Sequence, residues 1–182
     1  MTRLLGAILA GGQSQRFGSD KAVALLAGQS LIDRVAAALA PQVDDLVLAG
    51  REDVGDIVAI PDRPSPGLGP LGGLNAALHH ARARGYAAVM TVGCDMPVLP
   101  PDLAERLRAA GCPCFVAAVP IIGLWPAGLA DRLDLFLASD PRRSMRGWAA
   151  KAGAAMLSLG EELPNINTPD DLALLARTFP GG

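Results

Sequence analysis

Apolar and polar positions along the chain fall into two alternating kinds of run. Leu4 to Ala10 carries no polar side chain and stops at Gly11-Gly12, which predicts a short strand buried on both faces, as in a parallel sheet. From Ser30 to Ala40 the apolar residues Leu31, Ile32, Val35, Ala38 and Leu39 recur at helical spacing, with Pro41 beyond. Leu46-Val47-Leu48 and Ile57-Val58-Ala59-Ile60 predict two more short strands. Leu71 to Arg84 predicts a helix closed by Gly85, Ala87 to Val92 a buried strand ending at Gly93, and Asp102 to Ala110 a helix closed by Gly111. Phe115 to Val119 and Ile121 to Trp125 predict strands, Ala127 to Ala138 and Arg142 to Lys151 helices, and Ala155 to Leu159 a last strand. Thr168, Pro169 and Asp171 are a helix-start signal, a capping hydroxyl with proline at the first position and an acid three residues on. That helix runs to about Arg177.

Strand and helix alternate almost throughout, so the expected fold is α/β: a three-layer α/β/α sandwich, Rossmann-like, with a mostly parallel sheet. At 182 residues, without an internal repeat or linker, residues 1–182 read as one domain. Hydrophobic residues make up 51% of the chain, so its 21 glycines and 15 prolines read as turns rather than as disorder. A net charge of -2 and a pI near 5.6 argue against a nucleic-acid partner. The N-terminal apolar run is too short for a signal peptide and leads straight into a polar glycine-rich loop. No stretch approaches the roughly 20 apolar residues of a membrane span, and the expected location is the cytoplasm. Cys94, Cys112 and Cys114 suit neither a disulfide framework nor a zinc site, and read as small structural residues.

Ligands of such sheets bind beyond the carboxyl ends of the strands. Three segments fall there. Leu9-Ala10-Gly11-Gly12, followed by Arg16, Gly18, Asp20 and Lys21, joins a backbone open to phosphate oxygens with two cations. Its spacing is neither that of the P-loop nor that of the dinucleotide fingerprint. Asp95, in Gly93-Cys94-Asp95-Met96-Pro97, is a carboxylate directly after a buried strand. It reads either as a turn former or, beside a polyphosphate, as a Mg²⁺ ligand, the reading we take. The Pro/Gly loop Pro61 to Gly73 precedes a helix N-terminus and can wall a nucleotide pocket, with Asp62 an acceptor for a sugar hydroxyl or a base N–H. His79, His80, Trp125 and Trp148 read as structural. Arg142, Arg143 and Arg146 read as a solvated face or as a seat for an anionic acceptor.

Together these residues resemble the molybdenum cofactor guanylyltransferase family. The resemblance rests on Leu9-Ala10-Gly11-Gly12 with Arg16, Gly18, Asp20 and Lys21; on Gly69-Pro70-Leu71-Gly72-Gly73-Leu74; on Cys94-Asp95-Met96-Pro97; and on Asn165-Ile166-Asn167-Thr168-Pro169. It implies a sheet of the nucleotide-diphospho-sugar transferase type and transfer of GMP from GTP to molybdopterin. The products are a guanine dinucleotide cofactor and pyrophosphate. It further implies that Leu9 through Gly12, Lys21, Asp62, Gly69, Pro70 and Leu71 hold the nucleotide. Asp95 would hold Mg²⁺, Arg16 and Lys21 would neutralise charge, and Asn165 and Asn167 would face the pterin. Cofactor-biosynthesis proteins or molybdoenzyme chaperones are the implied protein partners.

The chain departs from the family pattern twice. Leu48-Ala49-Gly50 lacks an asparagine offered to the nucleotide, and the segment before Gly123-Leu124-Trp125 is short and apolar. Rival readings are a related transferase using CTP or another acceptor, such as a sugar phosphate or corrinoid, and a GTP-binding regulatory protein without transfer.

Overall fold

A computed structural model describes residues 2–11, 24–51, 57–139 and 143–178 of the chain. Among these residues, seven strands form one sheet: β1 (Leu4–Leu9), β4 (Asp45–Ala49), β5 (Val58–Ile60), β6 (Ala88–Gly93), β7 (Cys114–Val116), β8 (Gly123–Pro126) and β9 (Ala155–Leu157). Their order across the sheet is β5-β4-β1-β6-β8-β7-β9. Only β8 runs against the rest, paired antiparallel to β6 on one side and β7 on the other. The carboxyl ends of the other six therefore share one edge. All six residues of β1 are buried, the pattern of a central parallel strand covered on both faces.

Helices cover both faces. α1 (Leu31–Leu39) and α3 (Leu103–Ala110) pack on one side, over a core that includes Ile8, Ile32, Leu48, Val92 and Leu107. Ser30 caps α1 by accepting from the Asp33 N–H at 3.1 Å. α2 (Pro70–Arg84), α4 (Ala130–Ser139) and α5 (Met145–Ala152) cover the other side, over Leu5, Leu74, Trp125, Phe136 and Trp148. Trp148 stacks at tilted angles against Trp125 and Phe136, with ring centroids 6.4 and 5.7 Å away. Both tryptophans are fully buried, as expected of core residues.

The segment between β7 and β8 is a tight turn rather than a continuation of strands through Val119 and from Ile121. Ile122 donates to Val119 O, and Val119 donates to Val116 O, at 2.9 and 3.1 Å. These bonds take the backbone groups a longer ladder would need. One small element carries no advance signal: a hairpin of β2 (Leu25–Leu26) and β3 (Gln29–Ser30). Its turn residues, Ala27 and Gly28, both have positive φ. α6 (Pro169–Ala176) closes the described chain, and Thr168 and Asp171 form the reciprocal cap that their spacing predicts. Among the described residues, no helix is long and apolar enough to cross a membrane.

Candidate active site

The parallel ladder extends one residue past the ends of the central strands, then opens. Ala10 donates to Ala49 O at 2.9 Å, Gly50 to Ile60 O at 3.1 Å and Cys94 to Leu9 O at 3.2 Å. Beyond those bonds Gly11, Gly50, Asp62 and Asp95 gather along the carboxyl edge.

Asp62 sits among four glycines from three separate stretches of sequence. A Cβ on Gly11 would stand 3.1 Å from Asp62 Oδ2, and one on Gly50 would stand 2.9 Å from Oδ1. A Cβ on Gly72 would be 3.1 Å from the Asp62 carboxyl carbon, and one on Gly73 would be 3.5 Å from Oδ1. The helix end Gly69-Pro70-Leu71 thus reaches the strand ends because Gly72 and Gly73 let α2 sit directly on them. Gly50 has φ of 84°, and a Cβ there would stand 2.5 Å from the Gly11 Cα. That contact leaves no room for a side chain at Gly50.

Oδ1 of Asp62 is buried and has no hydrogen-bond partner among the described residues. Burial raises the Asp62 pKa, and the Gly67 amide offsets part of the rise. A desolvated, half-satisfied carboxylate at the carboxyl end of a parallel sheet is the kind of group that functional sites carry.

Asp95 lies on the far side of β1. A Cβ on Gly93 would run into its Oδ1, so glycine at the end of β6 makes room for the carboxylate to fold back over the strand. The Ile166 N–H donates to the Asp95 carbonyl at 3.0 Å. This contact brings Asn165-Ile166-Asn167 to the strand end, although the two segments lie 70 residues apart in sequence. Ile166 is buried with Leu26 and Leu31, while Asn165 and Asn167 are exposed on either side of it.

Leu9, Ala10, Gly11, Asp62, Gly69, Pro70, Leu71, Asp95, Asn165 and Asn167 therefore lie along one edge. Gly12, Arg16, Gly18, Asp20, Lys21 and Arg142 lie outside the described residues. Arg143 is exposed ahead of α5, with φ of 40°. Arg146 contacts this side through an Nη2 bond to Ala117 O at 2.7 Å. Sequence reasoning did not find the glycine ring around Asp62 or the Ile166–Asp95 bond. The glycine after each of β1 and β4 was the available clue to the first.

Another polar group lies away from this edge. His79 Nε2 meets Asp134 Oδ2 at 2.9 Å, and Asn75 donates to Asp134 Oδ1 at 2.6 Å across the α2–α4 seam. His79 lies ten residues past Gly69, about 15 Å along the helix from its N-terminal end. Burial pushes the Cys114 thiol up to about 11, consistent with a structural cysteine.

The fold and its edge define a doubly wound α/β nucleotidyltransferase. The chain matches the MobA-like NTP transferase domain over residues 6–156, and it belongs to that family. It is 40% identical over 186 residues to the molybdenum cofactor guanylyltransferase of Cereibacter sphaeroides, with 94% of each chain covered. The Rhodobacter capsulatus protein of the same name is 38% identical over 179 residues, again with 94% of each covered. Among solved structures, molybdopterin-guanine dinucleotide biosynthesis protein A of Archaeoglobus fulgidus shares the fold. Its TM-score is 0.77 at 23% identity, covering 96% of this chain and 97% of that one.

Proposed function

We propose that the chain transfers GMP from GTP to the terminal phosphate of molybdopterin in the cytoplasm, giving the guanine dinucleotide cofactor and pyrophosphate. The observation that carries this reading is the convergence of Asp62, Asp95 and the Asn165-Ile166-Asn167 segment on one strand edge. The likeness to guanylyltransferases over nearly the whole chain supports the choice of substrates.

In this reading the backbone of Leu9 through Gly12 and the α2 N-terminus hold the phosphates. Asp62 accepts from the guanosine, which supplies a partner for its buried Oδ1. Arg16 and Lys21 neutralise the triphosphate, and Asn165 and Asn167 face the acceptor, with Arg142 and Arg143 completing its anionic side. Asp95 offers hard carboxylate oxygens at a strand end, with room made by Gly93, and that donor chemistry fits Mg²⁺. Asp95 would hold the ion, which when bound neutralises phosphate charge.

An oxygen of the acceptor phosphate attacks the α-phosphorus in line, and the bond from that phosphorus to the bridging oxygen breaks. Pyrophosphate leaves with the bonding electrons. A phosphate monoester is already anionic near neutral pH, so the protein needs no general base. Its contribution is alignment and charge neutralisation.

Asp95→Asn tests the assignment. The variant should fold with a wild-type circular dichroism spectrum and lose about a hundredfold or more in kcat. Wild-type turnover in that variant overturns the role given to Asp95.

A further inference from the structure

A cavity of about 260 Å³ opens at the carboxyl edge where β7 and β9 end. One wall is Val116, Ala118 and Val119, and the other runs from Ser158 to Leu163. Both walls lead to Asp95. Ile121, two residues past Val119, places its Cδ1 3.3 Å from the position of a Cβ on Gly93. On the other side, Leu163 stands three residues before Ile166, the residue bonded to the Asp95 carbonyl. A chain advances at most about 3.6 Å per residue, so Leu163 lies within roughly 11 Å of Ile166. Sheet geometry puts the end of β7 roughly 10 Å from that of β6, two strands away at about 4.8 Å per step.

The lining selects a ligand class. Val119, Leu159 and Leu163 are partly buried and offer aliphatic faces, Val116 closes the floor from the core, and Glu161 and Glu162 are the exposed acidic residues of the lining. Arg106 Nη1 holds Glu161 Oε1 at 2.7 Å, which leaves Glu162 as the carboxylate available to a ligand. The cavity then presents one carboxylate, Glu162, beside aliphatic side chains. It suits a flat ring whose edge carries adjacent N–H donors, because a carboxylate accepts paired donors bidentately and aliphatic walls cover the ring faces.

Resting on the GMP-transfer reading, we propose that this cavity seats the pterin ring of the acceptor, with Glu162 accepting from its 2-amino group and adjacent ring N–H. The phosphate arm then extends along the strand ends to the α-phosphorus near Asp95. Guanine carries the same 2-amino-4-oxo-pyrimidine edge, so the base of GTP is the second source of this chemistry. Asp62 serves that base on the opposite side of β1, and the two carboxylates divide the two rings between them.

The test titrates 6-hydroxymethylpterin, followed by its own fluorescence, and GTP separately. Each is added to the wild type, Glu162→Ala, Glu162→Gln and Ala118→Phe. The wild type should bind the pterin without nucleotide. Both Glu162 variants should weaken that binding roughly ten- to a hundredfold, the cost of a charged hydrogen-bond pair, and Ala118→Phe should block it by volume. GTP affinity should stay constant across the four proteins. Pterin binding that is absent from the wild type, or equal in all four proteins, overturns the proposal. A loss of GTP affinity in the Glu162 variants also overturns it, because the cavity then seats guanine. Failure of the underlying reading looks different: Glu162-dependent pterin binding with no transfer from GTP to molybdopterin by the wild type.

Discussion

Asp62 and Asp45 are carboxylates at opposite ends of the sheet, and their environments shift them in opposite directions. Asp45 accepts from Tyr86 Oη at 2.6 Å and from Arg3 Nη2 at 2.9 Å, and these bonds hold its pKa below the ordinary value. Its contribution to stability is present above the unfolded pKa and is lost as pH falls through the folded one. Asp62 is raised instead, chiefly by burial. Its favourable contribution exists below the unfolded pKa and disappears as pH rises through the folded one, so near neutrality the ionised group costs stability. Asp62→Asn should therefore leave the ligand-free Tm at pH 7 equal to or above wild type, flatten its pH dependence in the acid range, and weaken GTP binding. Differential scanning fluorimetry from pH 4 to 8 and calorimetry with GTP read both effects. A large fall in Tm at pH 7 would make Asp62 a structural residue. The position of Asp62 after a short strand and before a glycine-rich helix start was legible in the sequence. Its ring of four glycines was not, because Gly11, Gly50, Gly72 and Gly73 meet only through strand order.

At the scale of elements, the long periodic segments were readable and the short ones were not. β1 announced itself because a strand covered on both faces needs an uninterrupted apolar run, and α2 because Gly85 ends it with a left-handed cap. The β2–β3 hairpin was hidden, since two-residue strands have no period and its Ala27-Gly28 turn lacks the usual asparagine or aspartate. That hairpin and α6 share one small core of Leu26, Leu31 and Ile166, with Leu172 and Leu175 packed against it. No residue of α6 is fully buried, so the helix depends on this cluster and on its cap. Thr168→Ala should cost about 1 kcal/mol locally. By hydrogen exchange it should raise opening of residues 166–176 while β1 and β6 keep their protection. Uniformly raised exchange throughout the sheet would show that α6 unfolds only with the whole domain.

For the whole molecule, the division of labour follows the direction of the sheet. Its amino edge carries the Arg3–Asp45–Tyr86 cluster, with the Arg3 guanidinium 4.1 Å above the Tyr86 ring, groups that satisfy one another. Its carboxyl edge carries a buried oxygen with no partner among the described residues, glycines where side chains would collide, and a cavity with Glu161 and Glu162 in its lining. Six strands point their ends at that edge, and β8, the reversed strand, folds the β7–β8 turn back toward the end of β6. The glycine motif and the Asn-x-Asn-Thr-Pro segment were visible as motifs. Their meeting at Asp95 required the fold.

The most direct test of the account is a transfer assay. The purified chain is incubated with Mg²⁺, molybdopterin and either GTP or CTP, and both pyrophosphate and the dinucleotide product are quantified. The account predicts equal amounts of pyrophosphate and guanine dinucleotide with GTP, and little of either product with CTP. Preferential use of CTP would contradict the guanine assignment, and GTP binding with no pyrophosphate release would contradict the transferase itself.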